Sequence, residues 1–176
     1  MKIFIAYATS EGQTRKIADY MARQLGEDGH EVTIHDSAST LGDLDLNTFP
    51  VIFIAGSVHD HKHQESIVDF VIAHRGTLET ARSAFLSVSL SAAMKDGARE
   101  AQSYVDGFVE ESGWHPWDVL LVAGALQYSG YDYFRQQIVR FILAEKDNRL
   151  DAERDHVFTD WEAVARFARS VVEQAK

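Results

Sequence analysis

Three hydroxyls and a glycine stand together near the start of the chain, in Ala8-Thr9-Ser10-Glu11-Gly12-Gln13-Thr14. Thr9, Ser10 and Thr14 are neutral hydrogen-bond donors, and Gly12 lets the backbone approach a ligand with no Cβ in the way. An apolar run, Ile3-Phe4-Ile5-Ala6-Tyr7, precedes them, and Ile17, Met21 and Leu25 follow at helical spacing. The first turn of a helix has unpaired N–H groups and partial positive charge. A strand, a tight hydroxyl-rich loop and a helix therefore make an anion site that holds a phosphate without a lysine. The competing reading is an ordinary strand-to-helix turn with Thr9 or Ser10 as the N-cap.

Other chemistry is either weaker or missing. His59, His61 and His63 alternate with Asp60 and Lys62, so an extended loop sets three imidazoles on one side, a set that can bind zinc or nickel. Lys62 opposes a cation, and the rival reading is a polar loop beside a ligand; no metal is assigned. The absence of cysteine removes disulfides, a thiolate nucleophile and Cys-ligated centres. There is no P-loop lysine, no G-x-G-x-x-G and no G-x-S-x-G. A phosphoacceptor module fails too, because the first and third strands end in Tyr7-Ala8-Thr9 and Ala55-Gly56-Ser57, without aspartate. A net charge of -10 repels nucleic acid and anionic membrane surfaces alike.

These groups need a scaffold, and the pattern supplies one. Val51-Ile52-Phe53-Ile54-Ala55-Gly56 is a continuous apolar run suited to a strand covered on both faces. Glu31-Val32-Thr33-Ile34-His35 alternates like an edge strand, and Ala84 to Leu90 and Val119 to Ala123 complete five. Helical spacing separates them, at Ile67, Phe70 and Val71 and again at Ala98, Ala101, Val105, Phe108 and Val109. Alternating strands and helices imply a parallel sheet, whose ligands bind at the carboxyl ends of the strands. Here those ends are 8–14, 57–63, 89–94 and 124–131. Trp114 and Trp117 belong to the opposite end, as packing residues.

After Gly124 the alternation breaks. Tyr131, Phe134, Ile138, Phe141 and Ile142 mark an amphipathic helix, a charged segment runs from Glu145 to Asp155, and His156-Val157-Phe158 makes a short strand. A last helix with Trp161, Val164, Ala165, Ala168, Val171 and Val172 on its apolar face opens with a Thr159/Glu162 capping box. Tyr128, Tyr131 and Tyr133 stand on the rim side. At 176 residues the chain is read as one domain, 1–176, with an insertion at about 126–154. It is expected to be cytoplasmic, without a membrane segment, and a monomer or homodimer.

T-x-x-G-x-T after a first strand resembles the phosphate loop of flavodoxins. Together with Ser83 to Leu90, Gly113-Trp114-His115-Pro116, Ala123 to Tyr128 and Phe158-Thr159-Asp160-Trp161-Glu162, it makes nearly the whole chain resemble the flavodoxin-like, menaquinone-dependent protoporphyrinogen oxidases and their soluble relatives. The resemblance implies an α/β, flavodoxin-like doubly wound sheet of order 2-1-3-4-5, of the long-chain type with an insertion in the fifth strand region. It implies FMN, its phosphate on Thr9, Ser10, Glu11, Gly12, Gln13 and Thr14. The flavin ring then lies between Ser57, Val58 and His59 and the segment Ser87, Val88, Ser89, Leu90 and Ser91, with Gly124 and Ala125 adjoining. The implied activity is electron transfer from a porphyrinogen-like donor to a quinone, with no protein catalytic residue required because the flavin carries the chemistry. The alternative is an electron carrier that docks on a redox protein. The chain departs from the family at His61, where glycine is frequent, at Gly130, where arginine stands, and across Lys146 to Arg154.

Overall fold

Strands that bury both faces send alternate residues to two cores, and the first strand does so without a polar interruption. In the computed structural model, which describes residues 1–128, 132–145 and 154–176, β1 (Lys2–Ala8) points Ile3, Ile5 and Tyr7 one way and Phe4, Ala6 and Ala8 the other. The chain continues through α1 (Gln13–Glu27), β2 (Glu31–Asp36), β3 (Val51–His59), β4 (Lys62–His63), α2 (Glu65–Thr80), β5 (Arg82–Ser89), α3 (Ala98–Ser112) and β6 (Asp118–Ala123). It then runs through β7 (Ala125–Leu126), α4 (Asp132–Glu145), β8 (His156–Val157) and α5 (Trp161–Glu173).

The five long strands are parallel and ordered β2-β1-β3-β5-β6, which is 2-1-3-4-5 once the short β4 is set aside. Helices α1 and α5 cover one face, where Ile17, Met21, Leu25, Val164 and Val171 pack on Ile5, Phe53 and Leu86. Helices α2 and α3 cover the other, where Ile67, Val71, Val105 and Phe108 pack on Phe4, Ile52, Ile54 and Phe85. A third, smaller cluster of Leu126, Phe134 and Ile138 seats α4 against the rim of the sheet.

The structure departs from the sequence reading in four places. First, β3 does not stop at Gly56. It runs on to His59 and turns back through Asp60 and His61, at φ 51° and 65°, to pair Val58 with His63 and His59 with Lys62. Two left-handed residues in succession make a tight hairpin turn, whose twist matches that of the strands. His61 thus occupies a conformation that glycine adopts freely. Second, the expected insertion in the fifth strand region brings a short strand that the sequence did not mark: β7 pairs with β8, antiparallel, as a ribbon separate from the five-stranded sheet.

Third, Trp114 is fully buried against Phe85 and Phe108, but Trp117 is exposed, its ring beneath the Arg82 guanidinium at 5.3 Å. Trp117 immediately precedes β6, which among the described residues is an edge strand of the sheet. Fourth, α5 is capped by Asp160, whose Oδ1 accepts from the Ala163 N–H at 2.9 Å, and not by Thr159. Gly130, Tyr131 and Lys146 to Glu153 lie outside the described residues.

Candidate functional site

Carboxyl ends of β1, β3, β5 and β6 meet at one rim, and α4 stands along it. Between them lies a cleft of about 570 Å³, a space that includes its solvent-open side. Of the sequence-predicted residues, Thr9, Ser10, Glu11, Gln13, Thr14, Ser57, Val58, His59, Val88, Ser89, Leu90, Gly124 and Ala125 line it. Gly12 sits at the helix start, set back from the wall. Ser87 faces the core instead: it is fully buried and its Oγ lies 3.0 Å from His63 Nε2. Ser91 lines an adjoining cleft. Leu126, Phe134 and Gln137 complete the wall; their sequence signal was only the helical face of the insertion.

The first loop is built for an anion. Gly12 has φ 89°, in the left-handed region, and its N–H donates to Thr9 Oγ1 at 2.8 Å, so the threonine closes the loop instead of capping the helix. Thr14 is wholly buried and its Oγ1 has no hydrogen-bond partner among the described residues; nor does Gln13 Oε1. Buried hydroxyls without partners are costly, and an acceptor placed in the loop relieves that cost for Thr14. The donor set suits a phosphate.

Polar side chains fix the loop to its neighbours. Gln64, which the sequence reading missed for want of any motif, donates from Nε2 to Ser10 Oγ at 2.7 Å and to Ser57 Oγ at 2.5 Å, tying the first loop to the second. Gln13 donates from Nε2 to Thr159 Oγ1 at 3.0 Å, and Thr159 donates onward to the Ala123 carbonyl at 2.7 Å. Thr159 therefore joins the loop after β1 to the end of β6. Thr159→Val keeps the shape and leaves Gln13 Nε2 and the Ala123 carbonyl without this partner. It is expected to lower unfolding free energy by about 1–3 kcal/mol, read by urea denaturation. A loss below a few tenths would show that the link carries no weight.

The three imidazoles diverge. The hairpin turn sends His63 inward between Phe85 and Phe108, at centroid distances of 5.2 and 5.1 Å, where burial depresses its pKa to about 4. His59 faces the cleft against the Tyr133 ring at 4.3 Å, and His61 lies on the far side, its Nδ1 3.4 Å from Tyr104 Oη. The expected one-sided set does not form, and among the described residues no group of three or more His, Cys, Asp or Glu is placed to hold a metal. At the mouth, burial pushes the Glu11 carboxyl up, with Asp155 adding to the rise and His59 opposing it. Burial also raises Tyr133, helped by the Glu11 charge.

A hydroxyl-lined loop at the end of β1 thus faces three further strand ends of a doubly wound sheet. The profile of the flavodoxin domain family matches residues 4–152. The chain belongs to the flavodoxin domain family. It is also homologous to the protoporphyrinogen IX dehydrogenase [quinone] of Escherichia coli (strain K12), 32% identical over 173 residues, covering 97% of this chain and 94% of that protein. The enzyme of the same name from Leishmania major is 31% identical over 172 residues, covering 95% of this chain and 73% of that one. Solved flavodoxins share the fold. Flavodoxin 1 from Bacillus cereus superposes with a TM-score of 0.60 at 17% identity, covering 98% of each chain. A short-chain flavodoxin associated with a bacterial microcompartment superposes with 0.61 at 15%, covering 100% and 99%. Membership of this family implies a flavin cofactor, and the orphaned Thr14 hydroxyl fits its phosphate. Among the described residues, no helix of this flavodoxin domain is long and apolar enough to cross a membrane.

Proposed function

We propose that the protein binds FMN in the rim cleft and works as an oxidoreductase of the protoporphyrinogen IX dehydrogenase type, taking electrons from a porphyrinogen-like donor and passing them to a quinone. The buried Thr14 hydroxyl, without a partner among the described residues and placed at the start of helix α1, is the observation that carries the cofactor assignment. Thr9, Ser10, Gly12 and Thr14 are the residues that would hold the phosphate, with Glu11 and Gln13 beside them. Ser57, Val58, His59, Val88, Ser89, Leu90, Gly124 and Ala125 would surround the ring. When bound, FMN supplies the two-electron and one-electron chemistry.

The protein's own contribution is position and enclosure. Gln64 holds the first two loops at a fixed separation, and His63 anchors the hairpin that carries His59 to the cleft wall. Tyr133 and Phe134 from α4 form the opposite wall and reduce contact with water. A walled cleft supports turnover of a small molecule over docking of a carrier on a flat acidic rim. Apart from Glu11 and His59, the cleft is lined by uncharged side chains, which suits an uncharged ring system.

The test is the absorption spectrum of purified protein with and without added FMN, followed by anaerobic oxidation of protoporphyrinogen with a menaquinone analogue. Flavin bands that survive gel filtration and donor-dependent bleaching, reversed by the quinone, are expected. No binding in excess FMN would overturn the reading. Binding without bleaching by the donor would leave the electron-carrier alternative.

A further inference from the structure

One wall of the rim cleft is held differently from the rest. The ends of β1, β3, β5 and β6 grow out of the sheet and its two large cores, whereas Tyr133, Phe134 and Gln137 belong to α4, which lies outside both. That helix is seated only on the small cluster with Leu126, Phe134 and Ile138, and Phe141 stacks on Phe158 at 4.8 Å. Its outer face is bare, with Val139 55% and Leu143 73% exposed. A helix buried along so narrow a stripe has little apolar area to hold it down, so its polar ties count for more.

Those ties meet at one carboxylate. Glu100, in the first turn of α3, accepts from Ser91 Oγ at 2.7 Å and from the Arg140 guanidinium of α4. Tyr104, one turn further along α3, stands beside them with its Oη 3.4 Å from both Ser91 Oγ and His61 Nδ1. Glu100 therefore connects α4 to the segment after β5 and, through Tyr104, to the hairpin turn after β3. Burial alone would raise its carboxyl; hydrogen bonds from Arg140, Ser91 and Tyr104 outweigh that and keep the group ionised. A second tie has the same destination, since Glu145 at the end of α4 accepts from the Lys95 N–H at 2.5 Å. Neither Glu100 nor Arg140 lines the rim cleft.

We propose that Glu100 is a positioning residue for the cofactor cleft: by pairing with Arg140 it holds α4 closed as the outer wall, and breaking the pair lets the helix lift and FMN leave. This rests on the FMN reading and adds to it the group, remote from the cofactor, that governs enclosure. The geometry is direct. Ser89 and Leu90 line the cleft immediately before Ser91, and Gln137 lines it one turn before Arg140, so the Glu100 bridge fixes the distance between two facing walls.

The chain has no cysteine, so a single introduced thiol reports on one place. Ile138→Cys sets it under α4, at a position 3% exposed, where an aryl disulfide reagent reaches it only when the helix lifts. Val71→Cys sets it in the core beneath α2, as the control for general loosening. Labelling is followed in the full-length protein with and without FMN, and FMN release in the loaded protein by recovery of flavin fluorescence. Glu100→Gln and Arg140→Gln are each expected to speed labelling at position 138 and FMN release by about fivefold, the effect of losing a pair 35% and 37% exposed and so partly screened. The double variant should do no more than either single one. Arg140→Lys, which keeps the charge, should stay within about twofold of the parent, and labelling at position 71 should not change. Unchanged labelling at position 138, or equal acceleration at both positions, overturns the proposal. Faster labelling with FMN release unaltered shows α4 lifting without consequence for the cofactor and equally overturns it. Should Ile138→Cys fail to fold, Leu126→Cys, 4% exposed, places the thiol on β7 under the same helix. If the protein binds no FMN, the oxidoreductase reading falls and takes this role with it; retained FMN with an unmoved helix removes the positioning role alone.

Discussion

Gly12→Glu is expected to weaken FMN binding by about a hundredfold or more while leaving the fold in place. Two effects act together. Position 12 has φ 89°, a conformation that costs a side-chain-bearing residue about 1–2 kcal/mol. The new carboxylate then lies beside the loop that would receive a phosphate, and like charges a few ångströms apart repel by about 4 kcal/mol in a surface-like dielectric. A Cβ at Gly12 meets no atom within 4 Å, so steric exclusion from the fold is not part of the effect. Gly12→Ala separates the contributions, because it keeps the strain and omits the charge. Flavin absorbance after gel filtration and the thermal melt of the apoprotein are the two readouts. Full flavin content in Gly12→Glu would remove the loop from the cofactor site.

The second large effect concerns acid. His63 is buried between aromatic rings, 9% exposed, with Nε2 on Ser87, and its pKa falls to about 4 from 6.5 because burial disfavours the charged form. Below 6.5 the unfolded chain takes up a proton that the folded one refuses. The stability contributed by the neutral ring is therefore complete above 6.5, is lost as pH falls toward 4, and does not fall further below that. The gap amounts to roughly 3 kcal/mol. In His63→Gln the side chain does not titrate, so the difference in unfolding free energy between parent and variant should shrink by about that amount between pH 7 and 4. Urea denaturation at several pH values measures it. A difference that is constant across the window would show that His63 titrates normally. The same ring explains Gly56, where a Cβ would stand 3.1 Å from His63 Cδ2 and 3.3 Å from Ile67 Cγ2, a contact that would push the hairpin outward.

Much of the architecture was written in periodicity. Uninterrupted apolar runs at Ile3 to Tyr7 and Val51 to Gly56 demand cover on both faces, and the helical spacing at Ile17, Met21 and Leu25 supplies one side and that at Ile67, Val71, Val105 and Phe108 the other. These signals are local, and the right-handed connection rule then leaves few ways to wind the sheet. The strand-to-helix loop was legible for the same reason, since Thr9, Gly12 and Thr14 are neighbours in sequence.

Tertiary structure decided what depends on distant residues meeting. An extended loop would set His59, His61 and His63 on one side; the left-handed pair Asp60 and His61 instead gives each a different environment. Thr159 had the spacing of a capping box, yet its hydroxyl is drawn 146 residues away to Gln13, and Asp160 caps the helix instead. Gln64 carries no motif at all, and its value comes from lying between Ser10 and Ser57. Ser87 sits among predicted site residues in sequence, but the alternation of β5 turns it into the core. Periodicity and short motifs report the forces that act along a segment, which fixed the strands, the helices and the anion loop. Which side chains share the cleft is set by packing between segments, and that energy belongs to pairs of residues no single stretch contains.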